Sequence, residues 1–253
     1  MRENLVASAL RASRPVVSGW LTVGHPLLAE AMAHAGYDAV TVDLQHGAVS
    51  DAELIAVLQA LSTTDVTPLV RVAWNDPARL MKALDLGAYG VIVPMVEGPD
   101  DVRAAVRAVR YPPVGARSYG PTRAAFYGGP DYAAHADEQV VLGVMIETRA
   151  ALERIDEILA VPGLDLAFVG PADLSQALGG RPGADFDDGP VPGALERILA
   201  ASRRHGVAPG IFCKDAGYAA RMLERGFRFV TADSDVGLLR RGATTALERL
   251  RDT

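Results

Sequence analysis

The 253-residue sequence holds one cysteine, Cys213, so no disulfide can form within the chain, and so low a thiol count fits a reducing compartment. No His or Cys cluster has the spacing of zinc ligands, which argues against a structural zinc site. Positive charge is in deficit: 25 Lys and Arg stand against 31 Asp and Glu, for a formal charge of −6. That balance argues against nucleic acid and against an acidic membrane surface as partners. No apolar run is long enough to span a bilayer, and no N-terminal stretch joins a basic start, an apolar block and a small-residue cleavage site. Lysine is nearly absent, at Lys82 and Lys214, so a Schiff-base mechanism would have only two candidate amines. The expectation from these absences is a soluble, cytoplasmic protein acting on small molecules.

What is present is an apolar composition: 49% of residues are hydrophobic, 6% aromatic and 22% charged, enough for one sizeable core. Short β-branched runs recur at about 16–21, 38–43, 68–72, 90–94, 140–146, 165–169, 207–212 and 228–232, and read as strands. Helix-like patterns lie between them, including 51–62, 76–86, 99–110, 149–160, 193–205 and 215–225. Ser50 with Glu53 forms a capping-box pattern, and Gly36, Gly87, Gly206 and Gly226 stand where left-handed helix ends belong. Eight strands alternating with helices predict an α/β fold, a (β/α)8 TIM barrel forming a single domain over 1–253. Extra helices are expected at Asn4 to Ala12 and Val236 to Arg251. A doubly wound sheet is the competing architecture, but the first strand ends "SGWLTVGHP" and lacks the glycine-rich phosphate turn. Residues 111–139 follow a helix and belong on the far face of the barrel. Residues 175–192 follow a strand and belong at the mouth, as a possible lid.

Barrel active sites form at the C-terminal strand ends. Those ends carry Trp20, Asp43 with His46, Arg71, Pro94-Met95, Glu147, Asp173, Phe212 and the stretch Thr231 to Asp235. Glu147 and Asp173 close neighbouring strands, where two carboxylates repel unless a cation lies between them. Oxygen ligands favour a hard divalent ion, Mg²⁺, Mn²⁺ or Co²⁺. The competing reading makes each acid a helix cap. Asp43, three residues before His46, is placed to orient the imidazole and raise its basicity, which makes His46 a general base. Arg71 would stabilise an oxyanion at the mouth or pair with Asp43 or Glu147. "GPADLS" opens a helix whose first N–H groups can seat a carboxylate. Trp20 is either core packing or a pocket wall. Together these groups suit chemistry at the carbon beside a 2-oxo acid.

The ordered motifs "DLQHG", "PLVRVAWNDP", "GAYGVIVPMVE", "RYPPVGARSYG", "MIETRAAL", "FVGPADLS" and "APGIF" resemble those of the class II, metal-dependent pyruvate aldolases of the HpcH/HpaI family, from about Val16 to Leu250. The resemblance implies a barrel of the phosphoenolpyruvate/pyruvate type and a carbon–carbon lyase that cleaves a 4-hydroxy-2-oxo acid to pyruvate and an aldehyde through a metal-chelated enolate. It implies a divalent metal on Glu147 and Asp173, and no organic cofactor. Arg71 would face the enolate, His46 with Asp43 would move the proton, and the backbone at Gly170, Ala172 and Asp173 would bind pyruvate. It also implies a homo-hexamer, a trimer of dimers, with Asp85 and Arg123 reaching a neighbouring subunit's site. Gln45, Met145 and Phe212 differ from the residues usual in relatives and mark where the substrate pocket departs from theirs. The rival functions are oxaloacetate decarboxylation, CoA-ester cleavage, a Schiff-base aldolase using Lys214 or Lys82, and a non-catalytic ligand-binding barrel.

Overall fold

The computed structural model describes residues 1–251. Its strands are β1 (Val16–Leu21), β2 (Ala39–Asp43), β3 (Thr67–Arg71), β4 (Gly90–Val93), β5 (Val141–Ile146), β6 (Leu166–Val169), β7 (Ala208–Ile211) and β8 (Phe229–Ser234). All are parallel, each pairs with the next, and β8 returns to β1, so the sheet closes into a barrel. The (β/α)8 expectation holds, and the open-sheet alternative is excluded. Strand sequences such as "AVTVD" and "VLGVMI" are buried at every position because a closed parallel sheet is covered on both faces.

Alternation along each strand separates two cores. Outward residues such as Val40, Val42, Val70 and Val144 join the helices in one apolar layer. Inward residues such as Val16, Leu69, Ile92, Leu166, Phe168 and Phe229 fill the barrel.

The helices are α1 (Leu5–Arg11), α2 (Pro26–Ala33), α3 (Asp51–Leu61), α4 (Pro77–Asp85), α5 (Pro99–Val109), α6 (Thr122–Gly128), α7 (Tyr132–Gln139), α8 (Arg149–Glu153), α9 (Ile155–Leu159), α10 (Pro171–Ala177), α11 (Val191–His205), α12 (Ala216–Arg225) and α13 (Asp235–Arg251). The Glu53 carboxylate accepts both the N–H and the hydroxyl of Ser50, at 2.7 and 2.6 Å. Gly36, Gly87, Gly206 and Gly226 all have positive φ, from 70° to 115°, as the helix–Gly–strand joint requires. The expected 149–160 helix is broken at Arg154, whose φ and ψ of −102° and 22° leave the helical region. Residues 111–139 contain α6 and α7 rather than a plain loop.

α1 stoppers the N-terminal end of the barrel: Val6, Ala7, Ala9 and Leu10 belong to the interior cluster. Buried Asn4 pins it there, donating to Tyr89 O at 2.8 Å and to Gln139 O at 2.6 Å. At the other end, Phe168 stacks on Trp20 with centroids 5.6 Å apart and meets Phe229 edge-on at 5.8 Å, which forms the floor of the mouth. Phe168→Ala should therefore cost about 3–5 kcal/mol of unfolding free energy, measured by urea denaturation. A loss below about 1 kcal/mol would show that this stack does not carry the upper layer.

Candidate active site

The register of β2 with β3 sets Asp43 directly opposite Arg71. The guanidinium forks onto the carboxylate, Nε to Oδ1 at 2.9 Å and Nη2 to Oδ2 at 2.5 Å. Trp20 Nε1 donates to Oδ2 at 3.2 Å, and the backbone N–H groups of Gln45 and His46 donate to Oδ1 at 3.0 and 3.2 Å. Burial opposes the charge on Asp43, but the Arg71 bonds and charge and the two backbone bonds outweigh it, and the pKa lies below its ordinary value. The carboxylate is saturated by these five donors. It therefore does not bond the His46 ring, contrary to the expected dyad: Asp43 holds the main chain of the His46 corner and leaves the imidazole exposed at the lip. Arg71 also lies over the Trp20 ring, 4.9 Å from its centroid, and its remaining nitrogen, Nη1, approaches Met145 Sδ at 3.7 Å.

Across the mouth, Glu147 follows β5 and is 1% exposed. Its Oε1 accepts the Met95 N–H at 2.8 Å, from a Met95 held at φ 56° just past β4. Its Oε2 is buried without a partner. Burial pushes the Glu147 pKa up to about 7, the Met95 N–H opposes that rise, Asp173 adds to it, and Arg71 opposes it. A Cβ at position 170 would collide with Glu147 Oε2, so any larger residue there would displace that carboxylate. Asp173, in the first turn of α10, is half-buried and makes no hydrogen bond among the described residues. Neither acid caps a helix. Thr148 caps α8, accepting the Ala151 N–H at 3.0 Å, and α10 has no side-chain cap. Two buried-edge carboxylates, one with an orphan oxygen, match the donor set of a hard cation that shares its other positions with substrate oxygens and water. Among the described residues no group of three or more His, Cys, Asp or Glu side chains is placed to hold a metal, so the protein alone does not complete a coordination sphere.

One cavity of about 470 Å³ gathers Trp20, Asp43, His46, Arg71, Met145, Glu147, Gly170, Ala172, Asp173 and Phe212. Gln45 does not line it: the amide oxygen is buried without a partner beside the corner. Asp85 and Arg123 lie elsewhere. Asp85 pairs with buried Arg117 at 2.7 Å, and Arg123 donates to Leu86 O, Leu58 O and Ser62 Oγ at the ends of α4 and α3, which is the far face. Thr22, Phe168, Pro171, Pro182, Gly183, Ala184, Lys214 and Ser234 complete the lining. Thr22 and Ser234 were within reach of the strand-end rule, and Phe168 of inward alternation. Pro182–Ala184 come from the segment expected at the mouth.

The sequence model of the HpcH/HpaI aldolase/citrate lyase family matches residues 17–242. A hydroxypyruvate/pyruvate aldolase from Rhizorhabdus wittichii is 40% identical over 248 residues, covering 98% of this chain and 99% of that one. A 4-hydroxy-2-oxo-heptane-1,7-dioate aldolase from Escherichia coli is 38% identical over 250 residues, covering 98% of this chain and 95% of its own. The crystal structure of a family protein from Burkholderia cenocepacia superposes with a TM-score of 0.92 at 36% identity, over 98% of this chain and 99% of that one. With a family model matched over residues 17–242 and relatives 38–40% identical along nearly the whole chain, the chain belongs to the HpcH/HpaI aldolase/citrate lyase family.

Proposed function

We propose that the protein is a class II aldolase: a metal-dependent carbon–carbon lyase that reversibly cleaves a 4-hydroxy-2-oxo acid into pyruvate, or an analogue such as hydroxypyruvate, and an aldehyde. The observation that carries this reading is the buried Glu147 carboxylate with an unpartnered oxygen beside Asp173, across the mouth from the Asp43–Arg71 pair. Glu147 and Asp173 would hold Mg²⁺, Mn²⁺ or Co²⁺, which when bound supplies Lewis-acid polarisation of the 2-oxo group.

The chain's own residues do the rest. First-turn N–H groups at Ala172 and Asp173, which have no partner within the helix, receive the substrate carboxylate. His46, free at the lip, takes the proton from the 4-hydroxyl. The C3–C4 bond then breaks, its electron pair moves into C2–C3, and negative charge develops on the 2-oxo oxygen. Arg71 meets that charge without reorganising, because Asp43 already holds two of its nitrogens. Protonation at C3 yields pyruvate. The same charge-bearing oxygen arises in oxaloacetate decarboxylation, which is expected as a side activity. A Schiff base is disfavoured because Lys214 and Lys82 are both exposed and neither is desolvated.

We extend the reading to a cytoplasmic homo-hexamer built as a trimer of dimers. Large apolar side chains in the open support association: Tyr119 is 76% exposed, Phe126 85% and Leu239, on α13, 72%. Asp85 keeps one carboxylate oxygen free for a neighbour, whereas Arg123 would have to leave three bonds within its own chain. No helix among the described residues is long and apolar enough to cross a membrane.

Pyruvate release from 4-hydroxy-2-oxo acids, followed with lactate dehydrogenase, should vanish with EDTA and return with Mg²⁺, Mn²⁺ or Co²⁺. Glu147→Gln should lower kcat/KM by about 100-fold or more. Release indifferent to EDTA would overturn the metal reading and direct attention to Lys214.

A second expectation concerns the metal-free protein. Burial raises the Glu147 pKa from 4.5 to about 7 in the fold, so between those values the folded chain keeps a proton that the unfolded chain has lost. The stability this group contributes is fully present below pH 4.5 and is lost as pH rises through about 7. In EDTA, the Tm difference between wild type and Glu147→Gln should therefore move against wild type across that window, as read by scanning fluorimetry. A pH-independent difference would mean that Glu147 is ionised throughout.

A further inference from the structure

Residues 178–190, between α10 and α11, cross the mouth without regular structure, and Pro182, Gly183 and Ala184 form part of the cavity wall. Phe212 and Lys214, at the β7–α12 turn, form the adjoining part of the wall. Several contacts tie the strap to this turn and to α12, among them Arg221 with Asp187 at 3.1 Å, and that of Asp185 lies next to the cavity. The Asp185 carboxylate accepts the Lys214 N–H at 3.0 Å on Oδ1 and 3.2 Å on Oδ2, and the Asp215 N–H at 2.8 Å on Oδ2. Asp185 does so from φ 60°, a left-handed backbone rare for a non-glycine residue and tolerated by Asp and Asn. Asp215 in turn caps α12 through the Tyr218 N–H at 2.9 Å, and Tyr218 OH donates back to Phe186 O at 3.0 Å. The strap is thus tied to rigid helix, and Asp185 is the tie adjacent to the cavity.

We infer that Asp185 is a positioning residue for the outer half of the cavity, setting the walls that receive the aldehyde-bearing end of the substrate. This rests on the aldolase reading above, in which the 2-oxo acid end occupies the inner half, where Arg71 is 8% exposed and Glu147 1%. The aldehyde end must then lie outward, against Pro182–Ala184 and Phe212–Lys214. Asp185 touches no substrate atom. It acts through the two loops that do.

The test compares two reactions of one metal-loaded enzyme. Aldol cleavage of a 4-hydroxy-2-oxo acid uses both halves of the cavity, whereas oxaloacetate decarboxylation forms the same charge-bearing oxygen with no aldehyde end. Asp185→Gly suits the left-handed backbone, so it removes the carboxylate without adding strain. It should lower the ratio of kcat/KM for cleavage to kcat/KM for decarboxylation by about tenfold, chiefly by raising KM for the aldol substrate. Asp185→Asn keeps one acceptor oxygen and the backbone preference, and should restore the ratio to within about threefold of wild type. An unchanged ratio in Asp185→Gly, or an Asn variant no better than Gly, overturns the proposal. Should Asp185→Gly fail to fold, Asp185→Ala also removes the carboxylate, and an unchanged ratio in that variant overturns the proposal. Wild type that decarboxylates oxaloacetate but cleaves no aldol overturns it together with the aldolase reading, whereas cleavage with a flat ratio overturns this proposal alone.

Discussion

The Asp43–Arg71 pair is the constraint on which the mouth depends. Adjacent strands deliver the two side chains in register, and a two-point fork removes the rotational freedom of the guanidinium. Both groups are buried, so neither is tolerable alone: removing one partner of such a pair leaves an uncompensated charge at a cost of about 3–5 kcal/mol. The pair also organises what surrounds it. Trp20 is held by its indole N–H and by the cation over its face, and Trp20 in turn stacks on Phe168 and meets Phe212 edge-on at 5.5 Å. The same carboxylate grips the backbone of the corner that presents His46. One ion pair thereby orients a cationic group, an aromatic wall and an imidazole.

Glu147 is the counterweight. A carboxylate with Asp43's partners stays ionised at any ordinary pH, whereas Glu147 has one backbone donor, a second acid nearby and an orphan oxygen. The two sides of the cavity therefore carry opposite electrostatic instructions, one satisfied and one incomplete. Incompleteness at a buried carboxylate is costly, and a fold keeps it where something binds. Gly170 shows the same logic in the backbone, since any side chain there would fill the space that Glu147 Oε2 occupies.

Much of this was legible in the sequence because a closed parallel barrel imposes simple rules. Buried strands read as β-branched runs, helix ends read as glycines, and chemistry collects at strand tips. Those rules find Glu147, Asp173, Arg71 and Asp43 before any coordinates exist. The sequence offered Asp43 two partners, His46 by its i to i+3 spacing and Arg71 as an ion pair at the mouth, and the choice between them depends on which strands lie side by side. At a strand-to-loop corner the backbone N–H of His46 is nearer to that carboxylate than its ring is. α6 and α7 were hidden within a Gly- and Pro-rich stretch, and although the 175–192 segment was expected at the mouth, which of its residues line the cavity depends on a loop path no periodicity records. Phe168 packs in the barrel interior and is also the floor of the site.

The account's central claim is that Glu147 and Asp173 together hold a divalent cation against the substrate. Anomalous diffraction at the manganese edge, from crystals soaked with Mn²⁺ and pyruvate, tests it most directly. The predicted result is one peak within about 2.0–2.4 Å of Glu147 Oε2 and of an Asp173 carboxylate oxygen, with pyruvate oxygens completing the sphere. No peak between those carboxylates, or density joining pyruvate to Lys214 Nζ, would contradict it.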